Sequence, residues 1–416
     1  MFVSSPSRPR SRAVIGLVLL TILLLPPLFF YLAVASSLAL GASIAALIVI
    51  AALGDPAAIQ RFFSRFTLGR PTVLAVMIVA GITAHAAIAS LFLRTDLMRA
   101  GASIVPLVLL LFSGYALGRT LAASRHADVD GAVRLCFWVF CVIALLALTG
   151  FAPGNSAAYY KPVFPFTEPS YFALAFTPLL MYCSLTATGA RGRILILLTG
   201  VCAALLLQNL TLLLGCLLIT YISFRRSVVV ILLIGAALVA SQLDLSYYIE
   251  RLDLSGETQN LSSLVYLQGW QLVAESLTRS NGWGLGFQQL GVYGTDAPIA
   301  NLIYDLTSGY SNLLDGGFTF AKLLSEFGTL GLLLTLLYLL LAWRAVRALR
   351  QTARAPRRAG AALTLSRCVI VSYLLELFVR GSGYFAGTTI LLVASLSLVS
   401  AELPQHVLRA KPALGR

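Results

Sequence analysis

Stretches of about twenty apolar residues follow one another from residue 13 to residue 401, and that is the length an α-helix needs to cross the hydrocarbon of a bilayer. Inside a membrane every backbone N–H and C=O must be satisfied without water, which leaves helices as the natural form for such runs. The chain is therefore expected to be all-α, a polytopic integral membrane protein forming a single transmembrane domain over residues 1–416. About twelve spans are predicted, near residues 13–31, 34–54, 71–93, 100–122, 132–152, 169–188, 194–208, 210–224, 227–243, 318–343, 368–380 and 385–401. A hydrophobic content of 59%, with only 11% charged residues, excludes a water-soluble domain of ordinary composition. The first run, Ala13 to Gly54, follows Arg8, Arg10 and Arg12 and is too long for the core of a cleavable signal peptide, so it reads as two retained spans.

Charge sets the orientation. With both termini in the cytoplasm, 23 of the 30 Lys and Arg residues fall in cytoplasmic segments, chiefly 61–70, 119–134, 225–226 and 344–367. The net charge of +14 is thus an orientation signal, and it calls for no nucleic-acid partner. The run Ile194–Phe224 is long for one span and short for two. A single span would carry the seven arginines of 344–367 to the wrong face, so two short helices meeting near Gln208-Asn209 are predicted. No internal repeat is visible, which gives an inverted-repeat transporter no support. Two outer loops, at about 153–168 and 244–317, are left to carry chemistry.

The shorter loop contains Tyr160, Lys161 and Phe166-Thr167-Glu168-Pro169-Ser170, directly before a span. Pro169 suits a first helical turn, which puts Glu168 at the helix N-terminus. There it is either a cap that complements the helix dipole or a catalytic acid at the membrane surface, and the residues alone leave both open. The longer loop contains an amphipathic segment, Leu261–Leu277, whose Leu264, Leu267, Trp270, Val273 (or Leu272) and Leu277 recur at helical spacing. Gly282-Trp283-Gly284-Leu285-Gly286 follows, and Gly284 and Gly286 would permit a tight turn or the approach of backbone N–H groups to a ligand. Lys322 and Glu326 stand four apart on one helix face and are expected to pair. Arg380 precedes Gly381-Ser382-Gly383-Tyr384, where its fork of donors would suit a pyrophosphate. Arg251 and Arg279 frame the amphipathic segment and, with Lys161, Lys322 and Arg380, supply most of the positive charge of the outer face.

The six cysteines all lie in apolar runs without the spacing of a metal site, so neither a metal nor a disulfide is expected. His85 lies in a span, His126 in a cytoplasmic loop and His406 in the tail, which leaves no outer-loop histidine to act as a base.

Taken together, Phe166-Thr167-Glu168-Pro169-Ser170, the segment Ser263–Trp270, Gly282–Phe287, Lys322–Gly331 and Arg380–Tyr384 resemble the Wzy-type O-antigen and exopolysaccharide polymerases. The resemblance runs through the C-terminal two-thirds. It implies a glycosyltransferase-C-like helical fold in the bacterial inner membrane with an active site facing the periplasm. It implies transfer of a growing glycan from undecaprenyl pyrophosphate to a second lipid-linked repeat unit, without metal or cofactor and with inversion. Membrane lipids and undecaprenyl-pyrophosphate-linked oligosaccharides are the expected partners, with a chain-length regulator and a flippase as partner proteins. Related O-antigen ligases place a histidine in the outer region, and its lack here favours the polymerase. Relatives also carry an arginine just before the loop tryptophan, where Ser262–Gly269 has none.

On this reading the catalytic set is Glu168, Arg380, Lys322 and Glu326. Lys161, Tyr160, Tyr384, Trp270, Arg251, Arg279, Gly284 and Gly286 bind substrate. A base must reach the acceptor hydroxyl, and a carboxylate already held in an ion pair is the poorer candidate. Glu168 is preferred as the base, with Glu326 as the structural partner of Lys322. A flippase, the alternative of a different class, would line its interior with charge, whereas charge here collects at loop ends. Cysteines introduced at Ser255 and Arg354 are expected to label from opposite sides of the membrane, and labelling of both from one side would exclude this topology.

Overall fold

A computed structural model of the chain describes residues 10–34, 37–54, 70–154, 162–224, 229, 246–256, 258–294, 297–307, 316–354 and 360–409. Fourteen helices occur among them. They are α1 (Arg12–Tyr31), α2 (Leu38–Leu53), α3 (Arg70–Phe92), α4 (Leu97–Ala123), α5 (His126–Leu148), α6 (Pro169–Thr186), α7 (Gly189–Leu206) and α8 (Leu210–Ser223), followed by α9 (Ser246–Leu252), α10 (Leu261–Arg279), α11 (Pro298–Thr307), α12 (Thr319–Arg354), α13 (Ala361–Phe378) and α14 (Gly387–Arg409). Among the described residues the only β pairing is an isolated bridge between Val163 and Phe166. Eleven of the twelve predicted spans coincide with a helix, and of the one at 227–243 all but residue 229 lies outside the described residues. Seven helices, α1, α3, α4, α5, α7, α12 and α13, are long and apolar enough to cross a membrane, and α2, α8 and residues 387–400 of α14 are shorter apolar helices.

The bundle is built around α6, whose side chains from Phe172 to Leu185 are buried throughout. It packs against α5, α7, α8 and α13, with Phe137, Phe140, Phe172 and Phe176 stacked between α5 and α6 and Phe166 edge-on against Phe172. Small residues let other helices approach closely, as is usual where lipid offers no hydrophobic drive for association. In α4, a side chain added at Gly118 would come within 2.6 Å of the Ala394 carbonyl oxygen of α14.

The apolar run 194–224 breaks where the charge argument places the break. Gln208 has φ +49°, and the Asn209 side chain accepts a hydrogen bond of 3.1 Å from the Leu212 N–H to start α8. The Asn209 amide nitrogen also donates to the Pro169 carbonyl and so ties this break to the first turn of α6.

Contacts sort the bundle into two ends. At one end Arg12 lies against Gly131, Tyr182 donates to Asp130 at 3.0 Å, Arg134 bridges Asp130 and Thr186, and His126 Nδ1 accepts the Ala361 N–H at 3.0 Å. Arg350 stacks over Tyr221 there, 4.7 Å from the ring centroid, so the arginine-rich end of α12 meets the end of α8 that precedes Arg225. The other end collects the start of α6, the start of α12 and the turn after α13. A valine at Gly118 is expected to separate α4 from α14 at a cost of about 1–3 kcal/mol. The measurement is the midpoint of thermal unfolding in detergent, which should fall, whereas a valine at Gly101, which has open space around it, should leave it unchanged.

Candidate functional site

Glu168 sits at the N-cap of α6 in extended conformation, with Pro169 at the first helical position, as the local residues predict. Its side chain caps nothing. It is turned instead toward Arg380, whose Nη2 donates to both carboxylate oxygens at 2.9 Å, and Ser170 Oγ donates to Glu168 Oε2 at 2.9 Å. Arg380 lies 5.5 Å above the Tyr171 ring. The pair joins residues 212 positions apart, and it is open on one side: Glu168 keeps 37% of its side-chain exposure and Arg380 15%. The expected contrast between a free Glu168 and a paired Glu326 is thus corrected. Helical spacing showed no partner for Glu168, because its partner comes from the turn after α13.

That turn is held tightly. The Arg380 N–H caps the end of α13 on the Leu375 carbonyl, and the Gly381 N–H donates to the Gly317 carbonyl at 2.9 Å. A Cβ at Gly381 would lie 2.6 Å from the Thr319 nitrogen, so only glycine allows the turn this close to the start of α12. Ser382 Oγ donates to Glu376, an acid buried inside α13 that the sequence reading passed over. A small cavity of about 10 Å³ lies beside it, lined by Ser372, Tyr373, Glu376 and Thr388, and is about large enough for one water. An acid within a span is by itself a signal of a functional or structural polar site, and that signal could have found Glu376.

Glu326 makes no direct ion pair with Lys322, although the charge of Lys322 still acts on it. Its carboxylate is fully buried and accepts the backbone N–H groups of Gln288 at 3.0 Å and Leu290 at 3.2 Å. The reason is a break in the helix. Gly328 takes φ +53°, which interrupts α12 two residues after Glu326. The loop 282–290 lies across the break and supplies the missing hydrogen bonds, from Leu285 N–H to the Ser325 carbonyl, from Gly286 N–H to the Glu326 carbonyl and from Thr329 N–H to the Gly282 carbonyl, each at 2.9 Å.

Gly284 has φ +97°, and a Cβ there would stand 2.5 Å from the Gly328 nitrogen. Its N–H donates to Ser280 Oγ. The expectation that the N–H groups of Gly284 and Gly286 face a ligand is therefore not met; these glycines allow loop and broken helix to meet backbone to backbone. His85, which the sequence places in a buried structural role, stacks on Trp283 with a ring separation of 5.0 Å and donates from Nε2 to the Trp283 carbonyl.

Lys322 points elsewhere, with Nζ 3.4 Å from Gln288 Oε1 and 5.2 Å from the Tyr384 ring centroid. Tyr384 stacks on Phe287 at 5.9 Å, and its hydroxyl is buried beside Glu326. Burial, with the negative charge of Glu326 acting in the same direction, pushes the phenol well above its ordinary range, so it stays protonated.

The amphipathic segment forms α10 as predicted, but its buried face runs through Leu264, Val265, Gln268, Leu272 and Ser276. Gly269 turns this face inward against the Gly316 carbonyl, which leaves Trp270 at the edge, 42% exposed, tilted against Phe318 and edge-on to Phe320. Arg251 donates to Ser262 Oγ at the start of α10, while Arg279 lies over Tyr293 at its end. About 25 Å of helix separates them, so the two cannot grip one pyrophosphate. Tyr160 and Lys161 lie outside the described residues.

The geometry defines a polytopic helical membrane protein whose one end carries a partly open carboxylate–guanidinium pair, with Lys322 and Tyr384 on elements joined to the same turn. In comparisons with known proteins, no family model and no curated protein matches the chain. Glu326→Gln is expected to turn an amide NH₂ toward a backbone donor and to destabilise the fold by about 1–3 kcal/mol. Faster proteolysis within 282–290, together with a lower unfolding midpoint, would report this loss. Glu168→Gln, at a half-open site, should change neither.

Proposed function

We propose that the chain is a polymerase of lipid-linked polysaccharide. It would work at the periplasmic face of a bacterial inner membrane, with about twelve spans in a glycosyltransferase-C-like arrangement. The observation that carries this reading is the Glu168–Arg380 pair: an acid and a forked cation, far apart in sequence, meet at one bundle end and remain partly open to solvent. The resemblance of the segments around both residues to Wzy-type polymerases supports the same reading.

In the proposed reaction an acceptor sugar hydroxyl of one lipid-linked repeat unit attacks the anomeric carbon of the glycan carried on undecaprenyl pyrophosphate. The carbon–oxygen bond to the pyrophosphate breaks as the new glycosidic bond forms on the opposite face, which inverts the anomeric centre. Undecaprenyl pyrophosphate leaves with the bonding electrons, and its growing negative charge is met by Arg380, with Lys322 as the second cation. Glu168 orients the acceptor hydroxyl and takes its proton. Arg380 keeps Glu168 aimed until substrate enters and then turns its fork to phosphate, which competes well for a guanidinium. Glu326 is excluded from the base role by its burial and its two amide donors, and it is assigned to holding the loop that carries Gln288 beside Lys322. Arg251, Arg279, Trp270 and Tyr384 are assigned to the sugars and the lipid-linked acceptor, and Arg251 and Arg279 to separate parts of the glycan.

Purified protein given lipid-linked repeat units without divalent metal should yield a ladder of products. Transfer to lipid A core would instead indicate a ligase, and movement of substrate across a vesicle without new bonds a flippase. Arg380→Lys retains charge but loses the fork and should lower turnover on the order of 100-fold, with Glu168→Gln comparably impaired. Wild-type turnover in Arg380→Ala would remove the pair from the mechanism.

A further inference from the structure

The opposite end of α12 carries a second concentration of charge that the proposed reaction does not use. Beyond the break at Gly328, residues 329–354 of α12 run on for about 39 Å at 1.5 Å per residue, against a hydrocarbon core of about 30 Å, so the last turns reach the headgroup layer. One exposed face runs the length of this helix and changes in chemistry along it. Leu333, Leu336, Leu337 and Leu340 come first, each about half exposed, as suits contact with acyl chains. Trp343 follows, 52% exposed, at the depth where indole rings favour the interface. Arg347, Arg350 and Arg354 come last, lining with Gln351 a recess of about 370 Å³.

The guanidiniums are oriented but not neutralised. Arg347 stacks on Trp343 at 3.9 Å and Arg350 on Tyr221 at 4.7 Å, which holds the planar forks in place while leaving their charge intact. Among the described residues no carboxylate pairs with Arg347, Arg350 or Arg354. The sequence contains no Asp or Glu from 327 to 375, nor from 169 to 243, so α6, α8 and the start of α13, which pack on α12, offer no acid here. Among the described residues these arginines therefore have no counter-anion, and the recess is open to one from outside the chain. An acyl-lined face below and a cationic recess above define its shape: a phosphate attached to hydrocarbon.

We propose that Arg347, Arg350 and Arg354, with Trp343 and Tyr221 at their base, form a binding site for the phosphate headgroup of an anionic phospholipid in the leaflet at this end of the bundle. The leucine face receives the acyl chains, and the site is independent of the glycan chemistry at the other end.

Native mass spectrometry of the full chain in detergent, titrated with phosphatidylglycerol and with phosphatidylcholine, tests this. Each arginine near a charged membrane surface contributes an attraction equivalent to about fivefold in affinity. R347Q/R350Q/R354Q is therefore expected to lose the preference for phosphatidylglycerol by on the order of 100-fold. R191Q, which removes an exposed arginine elsewhere at the same end, should retain it. If the triple variant does not fold, R354Q alone, at the exposed helix end, should lower the preference about fivefold. An unchanged preference in the triple variant, or in R354Q where that is the variant measured, would overturn the proposal. Displacement of phosphatidylglycerol by inorganic phosphate at equal concentration would also overturn it, by showing a site for free phosphate in which the leucine face plays no part.

Discussion

Hydrocarbon offers no hydrogen bonds, and the end of this molecule that carries the Glu168–Arg380 pair is organised around one place where the helix ladder fails. At Gly328 the backbone of α12 turns to positive φ, and carbonyl and N–H groups that a regular helix would pair internally are released into a buried setting. The loop 282–290 satisfies them, and it can come close enough only because Gly284 and Gly328 lack side chains. Glu326, the last acid before the break, completes the joint by accepting two loop amides with its carboxylate. Loop and helix are thereby one unit, to which His85 of α3 and Phe287 beside Tyr384 are attached.

The Glu168–Arg380 pair depends on that unit at one remove. Lys322 and Thr319 lie in the short outer segment of α12, and the turn with Arg380 is bonded to Gly317 just before it. On the other side Glu168 is placed by α6, the most enclosed helix of the bundle, whose first turn is also tethered by Asn209. Two rigid supports thus meet at a contact that is itself half open.

The two bundle ends divide the labour of charge. At the end that carries Glu168, the cations Arg380, Lys322 and Arg279 lie beside a carboxylate or an aromatic ring. At the other end arginines are many, and among the described residues no acid pairs with Arg347, Arg350 or Arg354 of α12. The same helix serves both: broken and clamped at one end, continuous and projecting at the other.

The amino-acid sequence by itself determined the helical, membrane-spanning character of the chain, the positions of eleven helices and the break at Gln208-Asn209. Each rests on local or additive properties, namely the length of an apolar run, the capping capacity of Asn209 and the count of arginines per loop. It also singled out Glu168, Lys322, Glu326 and Arg380 as the unusual charges of the outer face. What it did not determine was who meets whom. Spacing of four residues suggested a Lys322–Glu326 pair, but a break at Gly328 and a loop from forty residues earlier took the carboxylate instead. Glu168 looked unpartnered because its partner is 212 residues distant. The glycines of 282–286 could equally have faced a ligand or a helix, and a free choice of φ does not say which. Those contacts were decided only by the tertiary structure, because hydrogen bonds and ion pairs are fixed by distances of about 3 Å between elements whose separation along the chain places no limit on their approach.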